Sequence, residues 1–178
     1  MTPLDRLLQR IRVRKAIPHF PAGARVLDVG CADAYLIRTL GPRIAGGTGI
    51  DPDAVPAETD GVRIVRGRFP DDLHDAGPFD AIAMLAVFEH IREAERPRVV
   101  EACRRLLRPG GRLVLTVPAP AVDRIVGMLR ALRLADGLDL EGHHGFRPEQ
   151  TPASFAGFRL LRHERFELGL NHLFVFER

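Results

Sequence analysis

The stretch Arg25-Val26-Leu27-Asp28-Val29-Gly30-Cys31-Ala32-Asp33-Ala34-Tyr35-Leu36 decides how the chain folds. Its apolar run stops at a glycine, and Leu36, Ile37 and Leu40 follow at helical spacing, which predicts a buried strand, a tight turn and a helix. In an open α/β sheet such a turn faces the crevice where ligands bind.

The next apolar run, residues 44–50, ends at Asp51. A carboxylate at the tip of a second strand is placed to accept hydrogen bonds from the two hydroxyls of a ribose, so the pair of strands predicts a nucleoside-containing ligand. The dinucleotide fingerprint requires glycine at its first, third and sixth places. Here those places hold Gly30, Ala32 and Tyr35, and that fingerprint fails.

The pattern instead resembles the class I S-adenosylmethionine-dependent methyltransferases, whose first motif is an acidic residue, any residue, then three glycines at alternate positions. Asp28 and Gly30 match it, while Ala32 and Ala34 stand at the second and third glycines. Gly49-Ile50-Asp51-Pro52 is similar to the family's ribose motif, Gly77-Pro78-Phe79-Asp80-Ala81-Ile82 to its fourth strand and Leu107-Arg108-Pro109-Gly110-Gly111-Arg112-Leu113 to its fifth. The resemblance implies an α/β fold: a Rossmann-like, doubly wound, mostly parallel seven-stranded sheet closed by an antiparallel C-terminal hairpin. It implies S-adenosylmethionine as cofactor, held at Asp28, Gly30, Cys31, Asp51, Phe69 and Leu85. The family often carries an acid after its third strand to bind the adenine amino group. Arg68 occupies that place here and has only donors, which leaves adenine to backbone groups near Phe69, to the Phe69 ring, or to Asp71 or Asp72.

At 178 residues the chain suits one domain, with residues 1–20 a helix and connector. Leu4, Leu7, Leu8, Ile11 and Val13 give that helix its apolar face, and the acids and arginines among them do not fit a secretory signal. No apolar run approaches a membrane span, which predicts a cytoplasmic protein. Cys31 and Cys103 have no metal or disulfide spacing and read as reduced structural residues. No metal site is expected.

A sequence pI of about 9.5 invites a nucleic-acid reading. Yet Lys15 is the lone lysine and the arginines are scattered among acids, so compositional bias explains the charge and nucleic acid is disfavoured. A small-molecule acceptor, handled by a monomer or homodimer, is the expectation.

Toward the C-terminus, residues 122–134 predict a helix, residues 136–150 a substrate-side loop and residues 157–176 a hairpin around Gly169, with His163 and His172 on its surface. Asp33 is expected to cap the helix after the Gly30 turn. His90, which follows the fourth strand, and His143 and His144, in the substrate-side loop, are the candidate bases. The reaction so implied moves a methyl group to an oxygen or nitrogen of the acceptor. The alternatives are a catalytically silent module on the same fold and an RNA methyltransferase. Between them stands the conformation of Ala32 and Ala34: at negative φ the alanines cost nothing, and at positive φ they strain the turn and narrow the pocket.

Overall fold

The computed structural model describes residues 3–74, 76–119 and 147–178, with side chains from residue 6 onward. The expected helix at 122–134, most of the substrate-side loop, His143 and His144 lie outside the described residues.

Helix α1 (Pro3–Ala16) stops where Pro18 would cost a helical hydrogen bond, and one 3₁₀ turn leads toward β1 (Arg25–Val29). The chain then alternates, as its apolar runs require. It forms α2 (Tyr35–Leu40), β2 (Gly46–Asp51), β3 (Ala57–Thr59), β4 (Val62–Arg66), β5 (Phe79–Leu85), α3 (Arg96–Leu106) and β6 (Leu107–Pro118). After residue 146 come α4 (Thr151–Ser154), β7 (Arg159–Phe166) and β8 (Asn171–Glu177). The sheet runs β3-β4-β2-β1-β5-β6-β8-β7. The pairs among β4, β2, β1, β5 and β6 are parallel, and β8 and β7 close the sheet antiparallel.

The sheet has one strand more than the sequence suggested. β3 is three exposed residues joined to β4 through Asp60-Gly61, with Gly61 at φ +77°. An Asp-Gly pair is a strong hairpin signal, but a strand with no apolar face gives no alternation to accompany it. β6 also begins earlier than expected. The Arg108–Gly111 segment is an irregular start to the strand, and the register shifts between Phe79 and Ala81 opposite it.

Both faces of the sheet are covered, which is why its central strands are almost wholly apolar. On one face Leu27, Ile82, Leu115, Phe174 and Phe176 pack with Phe88, Phe155 and residues of α3. On the other, Val26, Ala81, Ala83, Val114, Leu173 and Val175 pack under Val13, Ala16 and Phe20. Burying Leu36, Ile37 and Leu40 fixes α2 beside the Gly30 turn, each contributing about 1.5–3 kcal/mol. β1 sits at the point where the chain reverses its direction of travel across the sheet. Strands β2 and β4 go one way from it and β5 and β6 the other, so the crevice opens at the carboxyl ends of β1 and β5.

Two local expectations fail. Asp33 does not cap α2. Ala34 precedes that helix in the left-handed region without a side-chain cap, and Asp33 instead accepts hydrogen bonds from Gln9 and Arg38. His172 is not a surface residue. It is 3% exposed, its Nδ1 lies 3.0 Å from His163 Nε2, and His163 stacks on Phe174 at 4.2 Å. Burial lowers both imidazole pKa values from 6.5, helped at His172 by the charge of His163 and at both by Arg165.

A lowered pKa in the folded state means that the unfolded chain binds more protons. The stack therefore contributes fully above pH 6.5 and loses its contribution as the pH falls below it. Urea midpoints measured at pH 7.5 and pH 5.5 should fall more in the wild type than in His172→Phe, which keeps the stacked packing without the proton. Equal falls would show that the stack does not titrate.

Candidate cofactor and active site

The crevice is built on a turn with unusual backbone geometry. Gly30 has φ +73°, and its N–H and that of Cys31 both donate to Ile50 O, at 2.8 and 3.3 Å. A Cβ on Gly30 would lie 2.3 Å from Val87 Cγ2, so glycine is required there by both angle and space. Ala32 and Ala34 are also left-handed, at φ +46° and +57°. The chain thus keeps the backbone path of a glycine-rich turn while carrying two methyl groups on it. A left-handed alanine costs about 1–2 kcal/mol.

Asp51, at the tip of β2, holds this path. Its Oδ2 accepts the Ala32 N–H at 3.1 Å and its Oδ1 accepts the Asp53 N–H at 2.8 Å. Each carboxylate oxygen has a second lone pair, so both can still receive a hydroxyl.

One wall of the crevice is a cavity of about 210 Å³ on the α3 face, lined among others by Gly30, Ile50, Phe69, Val87, His90 and Arg98. The structure therefore brings Gly30, Phe69 and His90 together. His90 is exposed on a 3₁₀ turn (Phe88–His90), where its N–H donates to Val87 O at 3.0 Å. That turn is held from below by Arg96, 8% exposed, whose Nε donates to Ile91 O at 3.0 Å and whose guanidinium lies over the Phe88 ring.

Both acids considered for adenine have partners. Asp72 Oδ2 accepts the Arg68 N–H at 2.7 Å and so shapes the turn, in which a side chain on Gly67 would strike Asp72 Cβ. Asp71 is bonded to both terminal nitrogens of the Arg98 guanidinium. Around Phe69 the cavity is lined both by apolar residues such as Ile50 and Val87 and by the charged Asp71, Glu95 and Arg98.

Asp28 and Leu85 are on the other face of the sheet. Asp28 pairs in register with Ala83, and Leu85 belongs to the cluster under α1. A ligand touching Phe69 and Asp28 together must therefore cross over the Gly30 turn. Asp28 is 4% exposed, and its pKa is raised to about 8, first by burial and then by the charges of Asp51 and Asp33. Cys31 turns inward. A Cβ on Gly49 would sit 2.7 Å from its Sγ, and burial with the nearby Asp28 charge pushes the thiol up to about 12. It offers the crevice backbone and not a thiolate. Among the described residues no group of three or more His, Cys, Asp or Glu is placed to hold a metal ion.

Arg98, Glu95 and Val87 line the cavity without having been legible as site residues. In sequence the two charges are ordinary surface positions at the start of a helix. Only the strand order brings that helix to the crevice.

The left-handed turn sets opposite expectations at neighbouring positions. Gly30→Ala should cost about 2–5 kcal/mol, from the strained φ and the clash with Val87. Ala34→Gly should be neutral or gain up to about 1 kcal/mol, the relieved strain being partly offset by unfolded-state entropy. Urea denaturation of the two variants checks both, and a destabilised Ala34→Gly would show that the alanine is not strained.

Comparison with known proteins agrees with this geometry. A family model described as a methyltransferase domain matches residues 3–156. A ubiquinone biosynthesis O-methyltransferase of Xanthomonas axonopodis pv. citri is 33% identical over 152 residues, covering 78% of this chain and 61% of that protein. One from Psychrobacter cryohalolentis is 31% identical over 148 residues, covering 74% and 55%. The chain thus spans somewhat over half the length of these curated relatives. Among solved structures, the N-methyltransferase NodS of Bradyrhizobium japonicum WM9 superposes with a TM-score of 0.65 at 16% identity, covering 99% of this chain and 97% of that one. The 1,6-didemethyltoxoflavin-N1-methyltransferase of Burkholderia thailandensis, solved with S-adenosylhomocysteine, gives 0.66 at 19%, covering 95% and 77%. The family match over most of the chain, on a sheet whose crevice is formed by the Gly30 turn and Asp51, establishes that the chain belongs to the class I S-adenosylmethionine-dependent methyltransferase family.

Proposed function

We propose that this protein transfers a methyl group from S-adenosylmethionine to an oxygen or nitrogen of a small-molecule acceptor. The observation that carries the reading is the pairing of the Gly30 turn with the Asp51 carboxylate at the carboxyl ends of adjacent parallel strands. The residues fit the cofactor's parts. Asp51 would take the ribose hydroxyls, the cavity at Phe69 the adenine, and the Asp28 side of the turn the cationic methionine end.

Bound there, the cofactor supplies a methyl already activated on a sulfonium, so the protein's tasks are positioning and exclusion of water. The Gly30 turn fixes the ligand's path over the sheet edge. His90 borders the crevice and is the described candidate to accept the acceptor's proton, with His143 and His144 as candidates from the sequence. Names of relatives that act on oxygen and on nitrogen support the coarse reaction and leave the acceptor atom open. A second reading, a silent binding module, draws support from the two left-handed alanine methyls in the turn and from Arg68 in place of an acid.

Calorimetric titration with S-adenosylmethionine and S-adenosylhomocysteine separates the two. Low-micromolar Kd values are expected, weakened at least about tenfold, or about 1.4 kcal/mol, by Asp51→Ala with an unchanged far-UV spectrum. No binding at millimolar ligand would favour the silent module.

Asp28 adds a pH dependence. With its pKa raised to about 8, its carboxyl favours the protonated form near neutral pH in the free protein. A cation beside it favours the carboxylate, so binding releases a proton and affinity for S-adenosylmethionine should rise from pH 6.5 to pH 8.5. The rise should disappear in Asp28→Asn, and a pH-independent Kd in the wild type would place the cationic end elsewhere.

A further inference from the structure

On the α1 face, at the carboxyl end of β6, four polar atoms are buried without a hydrogen-bond partner among the described residues: Thr116 Oγ1, Asn171 Oδ1, Glu167 Oε1 and Arg12 Nε. They come from three places in the chain, α1, β6 and the turn between β7 and β8, and meet through the fold. Thr116 is paired in register with Leu85 on one side and Leu173 on the other, and Asn171 is paired with Pro118, so Thr116 and Asn171 share a face two residues apart. Asn171 Nδ2 donates to Glu167 Oε2. α1 is pinned to the hairpin by Lys15 and Glu164 at 2.8 Å, and one turn earlier Arg12 acts on the charge of Glu167.

Buried polar atoms without partners are uncommon, and each costs on the order of 1–3 kcal/mol. The backbone adds to this cost. Glu167 and Leu168 are consecutive left-handed residues, at φ +51° and +56°, in a turn that ordinarily selects Asn-Gly. Strain and desolvation thus converge on one point of the structure, which is the pattern of a site built for a ligand and not for stability.

Its position suits the acceptor of the methyl transfer proposed above, on which this inference rests. Reading across the strand ends from Gly30, the next positions are Leu85 on β5 and Thr116 on β6. With about 4.8 Å between strands, Thr116 lies roughly 10 Å from the Gly30 turn. The chemistry of the four atoms is mixed. Glu167 and Asn171 offer acceptors, Arg12 offers a donor and the threonine hydroxyl is both. Arg12 offsets the charge of Glu167, so the set suits a neutral group that both donates and accepts. An anion would face two unpaired acceptors, and an ammonium would leave the Arg12 N–H unmet.

We propose that Arg12, Thr116, Glu167 and Asn171 form a recognition site for a hydroxyl group of a neutral acceptor substrate. Two measurements test it. Thr116→Val keeps the shape and removes the unpaired hydroxyl, so Tm of the free protein should rise by about 2–4 °C. A fall would mean that the fold itself satisfies the hydroxyl and would overturn the proposal. In the second, phenol and its methyl ether anisole are titrated by NMR into the protein, alone and saturated with S-adenosylhomocysteine. Phenol should move the Asn171 side-chain amide and bind at least tenfold more tightly than anisole, and Thr116→Val and Glu167→Gln should each remove most of that difference. Equal binding of the two probes, or shifts confined to other residues, would overturn it. Failure of S-adenosylhomocysteine to bind would instead remove the methyltransferase reading, while phenol selectivity of the cofactor-free protein would keep the hydroxyl site.

Discussion

The hydrogen bond from the Ala32 N–H to the Asp51 carboxylate ties the tips of two parallel strands together, and the arrangement of the crevice follows from it. The turn after β1 must take a left-handed path at Gly30, Ala32 and Ala34 to leave the strand and enter α2. For the glycine that path is free. For the alanines it is strained, and the strain persists because Ile50 O holds the start of the turn, Asp51 holds its middle and the buried side chains of α2 hold its end.

With the turn fixed, the sheet edge divides the ligand's surroundings in two. The α3 side offers a cavity in which Phe69, Ile50 and Val87 lie beside the charged Asp71, Glu95 and Arg98. The α1 side offers buried polar groups: Asp28 at β1, then Thr116, Asn171, Glu167 and Arg12 beyond Leu85. One ligand can reach both sides only by crossing the edge at Gly30, where a side chain would meet Val87.

The buried acid at Asp28 belongs to the same logic. Its carboxyl sits near Asp51 and Asp33, neither of which can neutralise it, and no hydrogen bond to it is made among the described residues. Such a group is costly in the free protein and becomes favourable beside a cation. The methyltransferase fold here holds several polar groups that destabilise the free state, in keeping with sites that give up stability for binding.

The order of apolar runs and glycine breaks was enough to mark most of the strands, the Gly30 turn and the acid at Asp51, because each of these depends on local spacing and on period, while the parallel sheet was implied by the resemblance to the methyltransferase family. The sequence could not place β3, whose three exposed residues have no apolar face. It could not decide the φ of Ala32 and Ala34, which is set by bonds to Ile50 and Asp51 far along the chain. His172 read as a surface residue because one histidine in an apolar strand shows neither its stacking partner nor its burial. Arg98 at the cavity and Arg12 beside Glu167 were likewise undistinguished among the 26 basic residues of the chain. Local pattern determines what each segment becomes. Which side chains face one another across the crevice is a property of strand order and register, and only the tertiary structure decided it.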